Sequence, residues 1–189
     1  MANNPETHHR RSIRLQRYNY SQSGAYFVTL CTHNNKNLFG SLEGNNSSVG
    51  ANNHSPAVAL NDAGLAVNRC WAEIPNHFPF VELDAFITMP NHVHGILLVT
   101  ADEGLTVPAR RANDDSPLHG GTSGTLGSIV RGFKIGVTKW FRQNRPDIET
   151  VWQRNYYEHV IRNDDELSEV RQYIANNPVK TNDVHPWLL

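Results

Sequence analysis

Apolar and polar positions along this chain repeat with two different periods, and the switches between them mark its elements. Ala25 to Thr32 is rich in β-branched and aromatic residues and predicts a well-buried first strand, opened by Ser23-Gly24. Residues 34–53 are rich in Asn, Gly and Ser and predict turns, followed by an edge strand around 55–60. From Asn61 onward, Ala63, Ala66, Val67, Cys70, Trp71 and Ile74 recur at helical spacing. They predict a helix that starts at an Asn/Asp cap, buries Cys70 and stops before Pro75. A second strand covers roughly Val81 to Met89. Pro90-Asn91 then turns the chain into a third strand, His92-Val93-His94-Gly95-Ile96-Leu97-Leu98-Val99. Leu126, Ile129, Val130, Phe133, Val137, Trp140 and Phe141 mark an amphipathic helix over about 125–143. Val151 to Arg162 mixes aromatics with cations and predicts strand or extended structure. Asn163-Asp164 caps a last helix containing Leu167, Val170 and Ile174, with Tyr173 on the flank of its apolar stripe. Asn176-Asn177-Pro178 ends it, and Pro178 biases Asn177 away from helical backbone.

This order of strands and helices predicts an α+β fold, a ferredoxin-like antiparallel sheet with helices packed mainly on one face. The chain divides into a basic flexible arm over 1–20, a single domain over 21–180 with a flexible insertion at 101–124, and a short tail at 181–189. At 189 residues, one domain with its own core is the natural expectation. A net charge of -1 removes any global electrostatic argument for a polyanion, so such a partner must be met by a local patch. Cys31 and Cys70 are too few for a disulfide framework or a zinc finger, which suits a reducing cytoplasm. No apolar run approaches a membrane span, so no membrane partner is expected. Walker-type glycine loops, paired CxxC motifs and Gly-x-Ser-x-Gly are absent.

Candidate chemistry begins at His92 and His94. On a strand, residues at i and i+2 share a face, so the two imidazoles form either a metal clamp or a pair of ordinary half-buried histidines. Basic residues collect in two places. Arg10, Arg11, Arg14 and Arg17 stand in the N-terminal arm against one acid, Glu6. On the 125–143 helix, Arg131, Lys134, Arg142 and Arg145 fall in a stripe opposite the apolar one, with Lys139 nearby and no acid between. Either region is a solvated face or a polyanion site. Arg154 and Arg162, interleaved with Trp152, Tyr156 and Tyr157, suit unpaired bases or belong to a core strand.

Four blocks in order resemble the REP-associated tyrosine transposases, of the single-tyrosine branch of the HUH endonucleases. They are Tyr26-Phe27-Val28-Thr29-Leu30-Cys31-Thr32-His33-Asn34, Met89-Pro90-Asn91-His92-Val93-His94-Gly95, the block from Trp152 to Asn163, and Tyr173-Ile174-Ala175-Asn176-Asn177-Pro178-Val179-Lys180. The resemblance runs from about Arg11 to Lys180. It implies that His92 and His94 are metal ligands, that Asn177 is the third ligand, and that Tyr173 is the nucleophile. It also implies Mg2+ or Mn2+ as cofactor and a single-stranded or hairpin DNA partner, acted on by a monomer or homodimer. The reaction implied is nicking and joining at or near palindromic repeats through a 5′-phosphotyrosine. The rivals are a hairpin-binding protein without activity and a metal-dependent hydrolytic nuclease. DNA contacts are expected from Arg10, Arg11, Arg14, Arg17, Arg131, Lys134, Arg142, Arg154 and Arg162. His159 is expected to touch phosphate or to partner Glu158, ahead of binding metal.

Overall fold

Four strands make one antiparallel sheet: β1 (Gly24–Cys31), β4 (Val81–Met89), β5 (His92–Val99) and β6 (Tyr157–Ile161), in the order β4-β5-β1-β6. The computed structural model describes residues 23–42, 58–100 and 125–177. The expected arm over 1–20, insertion over 101–124 and tail over 181–189 therefore lie outside the described residues. Helices join strands that are parallel but not adjacent, which is the split βαβ arrangement of a ferredoxin-like fold. α1 (Asp62–Ala72) precedes β4, and α3 (Leu126–Asn144) links β5 to β6. A small second sheet pairs β2 (Gly40–Leu42) with β3 (Val58–Leu60), where an edge strand was expected.

Alternation along β1 and β5 sends their residues to two different layers. Tyr26, Val28 and Leu30 with Val93, Leu97 and Val99 face α1 and α3, and meet Val67 and Trp71 of the first and Ile129, Phe133 and Val137 of the second. Phe27 and Ile96 face the other way, against Val170 and Ile174 of α4 (Asp164–Asn176). Two long helices thus cover one face, and α4 crosses the opposite one. Side-chain caps set the helix starts. Asn61 accepts from Gly64 N at 3.0 Å, Thr125 and Ser128 form a capping box, and Asn163 accepts from Glu166 N at 2.8 Å.

The first helix stops before Pro75 as expected, at Ala72; Ile74, read as part of its stripe, instead opens a separate short helix, α2 (Ile74–His77), with Pro75 in its first turn, where its missing N–H costs nothing. The stretch expected as strand or extended structure joins the main sheet over 157–161, and its earlier part meets it at a bridge between Trp152 and Thr32. Gly95 is fixed by packing. A Cβ there would overlap the ring carbons Cζ2 and Cη2 of Trp71, which lies flat on the sheet and stacks on Phe86 at 4.4 Å.

Candidate active site and basic groove

His92 and His94 both point to the α4 side of β5. Their Nε2 atoms lie 3.0 Å apart, with ring centroids 4.6 Å apart. His94 is 2% exposed and stacks on Phe27 at 5.5 Å with an interplanar angle of 22°. Burial pushes the His92 imidazole down to about 4 against a hydrogen bond with Asn177 that favours the charged form. Burial, aided by the neighbouring His92, also holds His94 well below its ordinary value. Both rings are therefore neutral at neutral pH, and each keeps one unprotonated nitrogen, the form of imidazole that binds a cation.

α4 brings Tyr173 to the same place. Its ring packs edge-on against His94 at 5.3 Å and against Phe27 at 6.0 Å. Asn177 is the C-cap of α4 with φ −57° and ψ −38°, so it keeps helical backbone despite the expected push from Pro178. It is buried, and its side chain hydrogen-bonds both His92 and Tyr173. Burial raises the Tyr173 phenol above its ordinary value, opposed by that bond to Asn177. Side chains from β5 and from the far end of α4, distant in sequence, thus meet around the two Nε2 atoms.

The helix is tied to both edges of the sheet. At the β4 edge, Arg171 donates from Nε and Nη2 to Asp84 Oδ1 and Oδ2 at 2.9 and 2.5 Å; Asp84 sits where the β4–β5 register shifts between Leu83 and Phe86. The Arg171 hydrogen bonds hold the Asp84 carboxyl below its usual range, against partial burial. At the β6 edge, His159 Nε2 lies 2.7 Å from Glu166 Oε1, and Glu166 Oε2 accepts from the Arg162 backbone N–H at 2.6 Å. Glu158 is not the partner of His159, because neighbours on a strand face opposite ways. Among the described residues no group of three or more His, Cys, Asp or Glu could hold a metal, so His159 lies outside any such cluster.

The basic residues of α3 lie on the far side of the sheet. Arg131, Lys139 and Arg142 line an open groove of about 450 Å³ with Arg154 and Tyr156. Two stripe members are committed elsewhere. Arg145 is paired with Asp147 at 2.9 Å, an acid just past the helix end that takes one cation out of the expected stripe. Lys134 donates to the backbone oxygens of Gln153 and Asn155 at 3.0 and 3.3 Å and sits over the rings of Trp152 and Tyr156, within 5.9 Å of both centroids. Burial lowers its ammonium to about 8. It pins the 152–156 segment to α3. The side chain of Arg162 is exposed, and Arg10, Arg11, Arg14 and Arg17 lie outside the described residues. Residues not singled out from the sequence, Thr29 and Asn91 beside the histidines and Asp84 and Arg171 under α4, needed the strand register to be seen.

No family model matches the chain. It is 44% identical over 178 residues to an uncharacterized protein of Haemophilus influenzae, across 93% of this chain and 92% of that one. A second H. influenzae protein, carrying the provisional name REP-associated tyrosine transposase, is 32% identical over 109 residues; the match spans 55% of this chain and about half (52%) of that relative. In structure, the chain is similar to a REP-associated tyrosine transposase solved bound to a REP hairpin. The TM-score is 0.54 at 20% identity, over 92% of this chain and 75% of that one. The chain thus has the fold of a REP-associated tyrosine transposase, and the resemblance stands in sequence and in structure. Among the described residues no helix is long and apolar enough to cross a membrane.

Proposed function

We propose that this chain is a metal-dependent single-stranded DNA endonuclease and strand transferase, acting at or near hairpin-forming palindromic repeats through a 5′-phosphotyrosine. The observation that carries this reading is the meeting of His92, His94, Asn177 and Tyr173 on one face of the sheet. His92, His94 and the amide of Asn177 would hold a divalent cation; the family resemblance points to Mg2+ or Mn2+, and Mn2+ is the better compromise with two imidazole donors. Such a cation supplies positive charge against the scissile phosphate and the attacking oxygen.

The chain's own residues do the rest. α4 holds Tyr173 Oη beside the histidines, and Asn177 orients the phenol by its hydrogen bond. A phenol is protonated at neutral pH and burial keeps it so, and the positive charge of a cation held by His92 and His94 would favour release of its proton. Tyr173 Oη forms the bond to phosphorus, its proton passes to solvent, and the bond from phosphorus to the 3′ oxygen breaks. That oxygen takes up a proton and leaves as a 3′-hydroxyl. The phosphotyrosine keeps the bond energy, so another strand's 3′-hydroxyl can reverse the step and join DNA. The solved relative's REP hairpin makes such a hairpin the first substrate to try. Labelled single-stranded hairpin DNA incubated with Mn2+ and run on a denaturing gel is expected to give a covalent protein–DNA band. Cleavage without that band points to a water nucleophile, and binding without cleavage to a hairpin-binding protein.

The groove on α3 is the proposed seat of the hairpin stem, since Arg131, Arg142 and Arg154 are exposed around it and Tyr156 offers a ring face. Replacing the three arginines by alanine should weaken hairpin binding and flatten the slope of log affinity against log salt by about one for each phosphate no longer neutralised. A slope equal to that of the wild type would exclude the groove from the DNA path.

A further inference from the structure

We propose that the turn at residues 33–36 carries the single strand of DNA that joins the hairpin stem to the scissile phosphate, with the Asn34 amide on a base edge and the Lys36 ammonium on a phosphate. This rests on the nicking site and the stem groove proposed above, and concerns the path between them. The groove on α3 and the histidines lie on opposite faces of the sheet, so a strand that serves both must pass round it. At one end of the sheet the protein itself bridges the two. Lys134, which lines the groove, donates to Gln153 O at 3.0 Å, and Gln153 Nε2 donates to Asn35 Oδ1 at 2.9 Å. Asn91 Nδ2 donates to Asn35 O at 3.4 Å, and the other end of that amide, Oδ1, lies 2.6 Å from His92 Nδ1. β1 ends and β5 begins here, since Cys31 faces His92 across the ladder. The turn therefore stands midway on a continuous polar track from groove to site.

Its shape is set before any ligand arrives. Asn34 and Asn35 have φ of 54° and 53°, the only positive values among the described residues other than glycine. Asn enters this left-handed region more readily than most residues, yet at a cost that glycine escapes. Surrounding bonds hold the conformation: His33 N donates to Val151 O at 2.8 Å, Asn35 N to Thr32 O at 3.1 Å, and Thr32 Oγ1 to Lys36 O at 2.8 Å. The two amides are used differently. That of Asn35 is spent inside the molecule, on Gln153. Asn34 and Lys36 are exposed, and their side chains bond nothing among the described residues. An Asn amide offers a donor and an acceptor side by side to a base edge, and an ammonium offers charge to a phosphate. A rigid turn that presents both loses little entropy on binding, which suits a flexible single strand.

Asn34→Gly keeps the left-handed backbone and removes the amide, Lys36→Ala removes the charge, and neither alters the histidines, Tyr173 or the groove arginines. The test is fluorescence anisotropy without divalent cation, so that no DNA is cut. The probes are one labelled hairpin in three forms: blunt, with a mixed-sequence single strand added on the 5′ side, and with the same strand on the 3′ side. The wild type should bind one extended form about tenfold or more tightly than the blunt hairpin. The double variant should lose most of that gain and bind the blunt hairpin as the wild type does. A wild type that gains nothing from either extension overturns the proposal, and so does a double variant that keeps the gain. Equal weakening toward blunt and extended hairpins also overturns it, since the turn would then be acting on the groove. A wild type that binds no hairpin overturns the groove reading itself, and the path with it. Loss of nicking in a protein that still shows the gain overturns the nicking reading alone.

Discussion

Tyr173→Phe is expected to lower nicking of hairpin DNA by roughly a thousandfold or more and to remove the covalent protein–DNA band. The substitution takes away one oxygen and leaves the ring. Edge contacts to His94 at 5.3 Å and Phe27 at 6.0 Å do not involve that oxygen, so α4 keeps its seat. The hydrogen bond to Asn177 goes with the oxygen, at a cost of about 1 kcal/mol of stability. A thermal melt close to wild type together with loss of the band therefore isolates the chemistry from the fold. If the band survives, Tyr157 becomes the suspect, because its ring also faces Phe27, at 6.3 Å; Tyr156 faces the α3 groove instead. Cleavage that persists without a band would assign the nucleophile to water.

Gly95→Ala is expected to destabilise the fold by about 3 kcal/mol or more, a fall in Tm of roughly 6–12 °C. The new methyl would occupy the place of two ring carbons of Trp71. That indole has nowhere to go: it stacks on Phe86 at 4.4 Å and meets Phe133 edge-on at 5.4 Å, Phe133 lying with it in the main core and Phe86 packing against that core. The alternative is to push β5 outward. Since His94 precedes Gly95 and points the other way, that relief would displace an imidazole. A melt by circular dichroism checks the prediction, and an unchanged Tm would mean the Trp71 layer yields more easily than its neighbours imply.

The α1 and α3 stripes were legible because burial on one side writes itself into spacing, whereas β1 and β5, buried on both faces, were legible as continuous apolar runs. Periodicity does not say which layer a helix joins. The stripe of Val170 and Ile174 marks an apolar side on α4, but only the sheet shows that it covers the face opposite α1 and α3. Ile74 misled because it continues the spacing of the α1 stripe across the turn at Glu73, yet opens the next helix, with Pro75 at home in its first turn. The cation stripe does line one groove, but helical angles ignore residues beyond the helix: Arg145 found Asp147, and Lys134 found the carbonyls of a segment about twenty residues on. Thr29 could be assigned to the Phe27 face by alternation alone. That it meets His94 depends on the register between β1 and β5, which no local pattern encodes.

α4 carries Tyr173, the proposed nucleophile, yet buries only Val170 and Ile174 completely, where α3 buries six residues. Its ion pairs at the sheet edges are partly exposed, and such pairs add little. The helix is therefore the element most easily opened without unfolding the sheet, and its backbone amides should exchange with deuterium well before those of α3. Each such opening carries Tyr173 away from the histidines and Asn177 with it. DNA that bridges the two would slow the exchange, so the protection of α4 amides measures how firmly substrate holds the phenol in place.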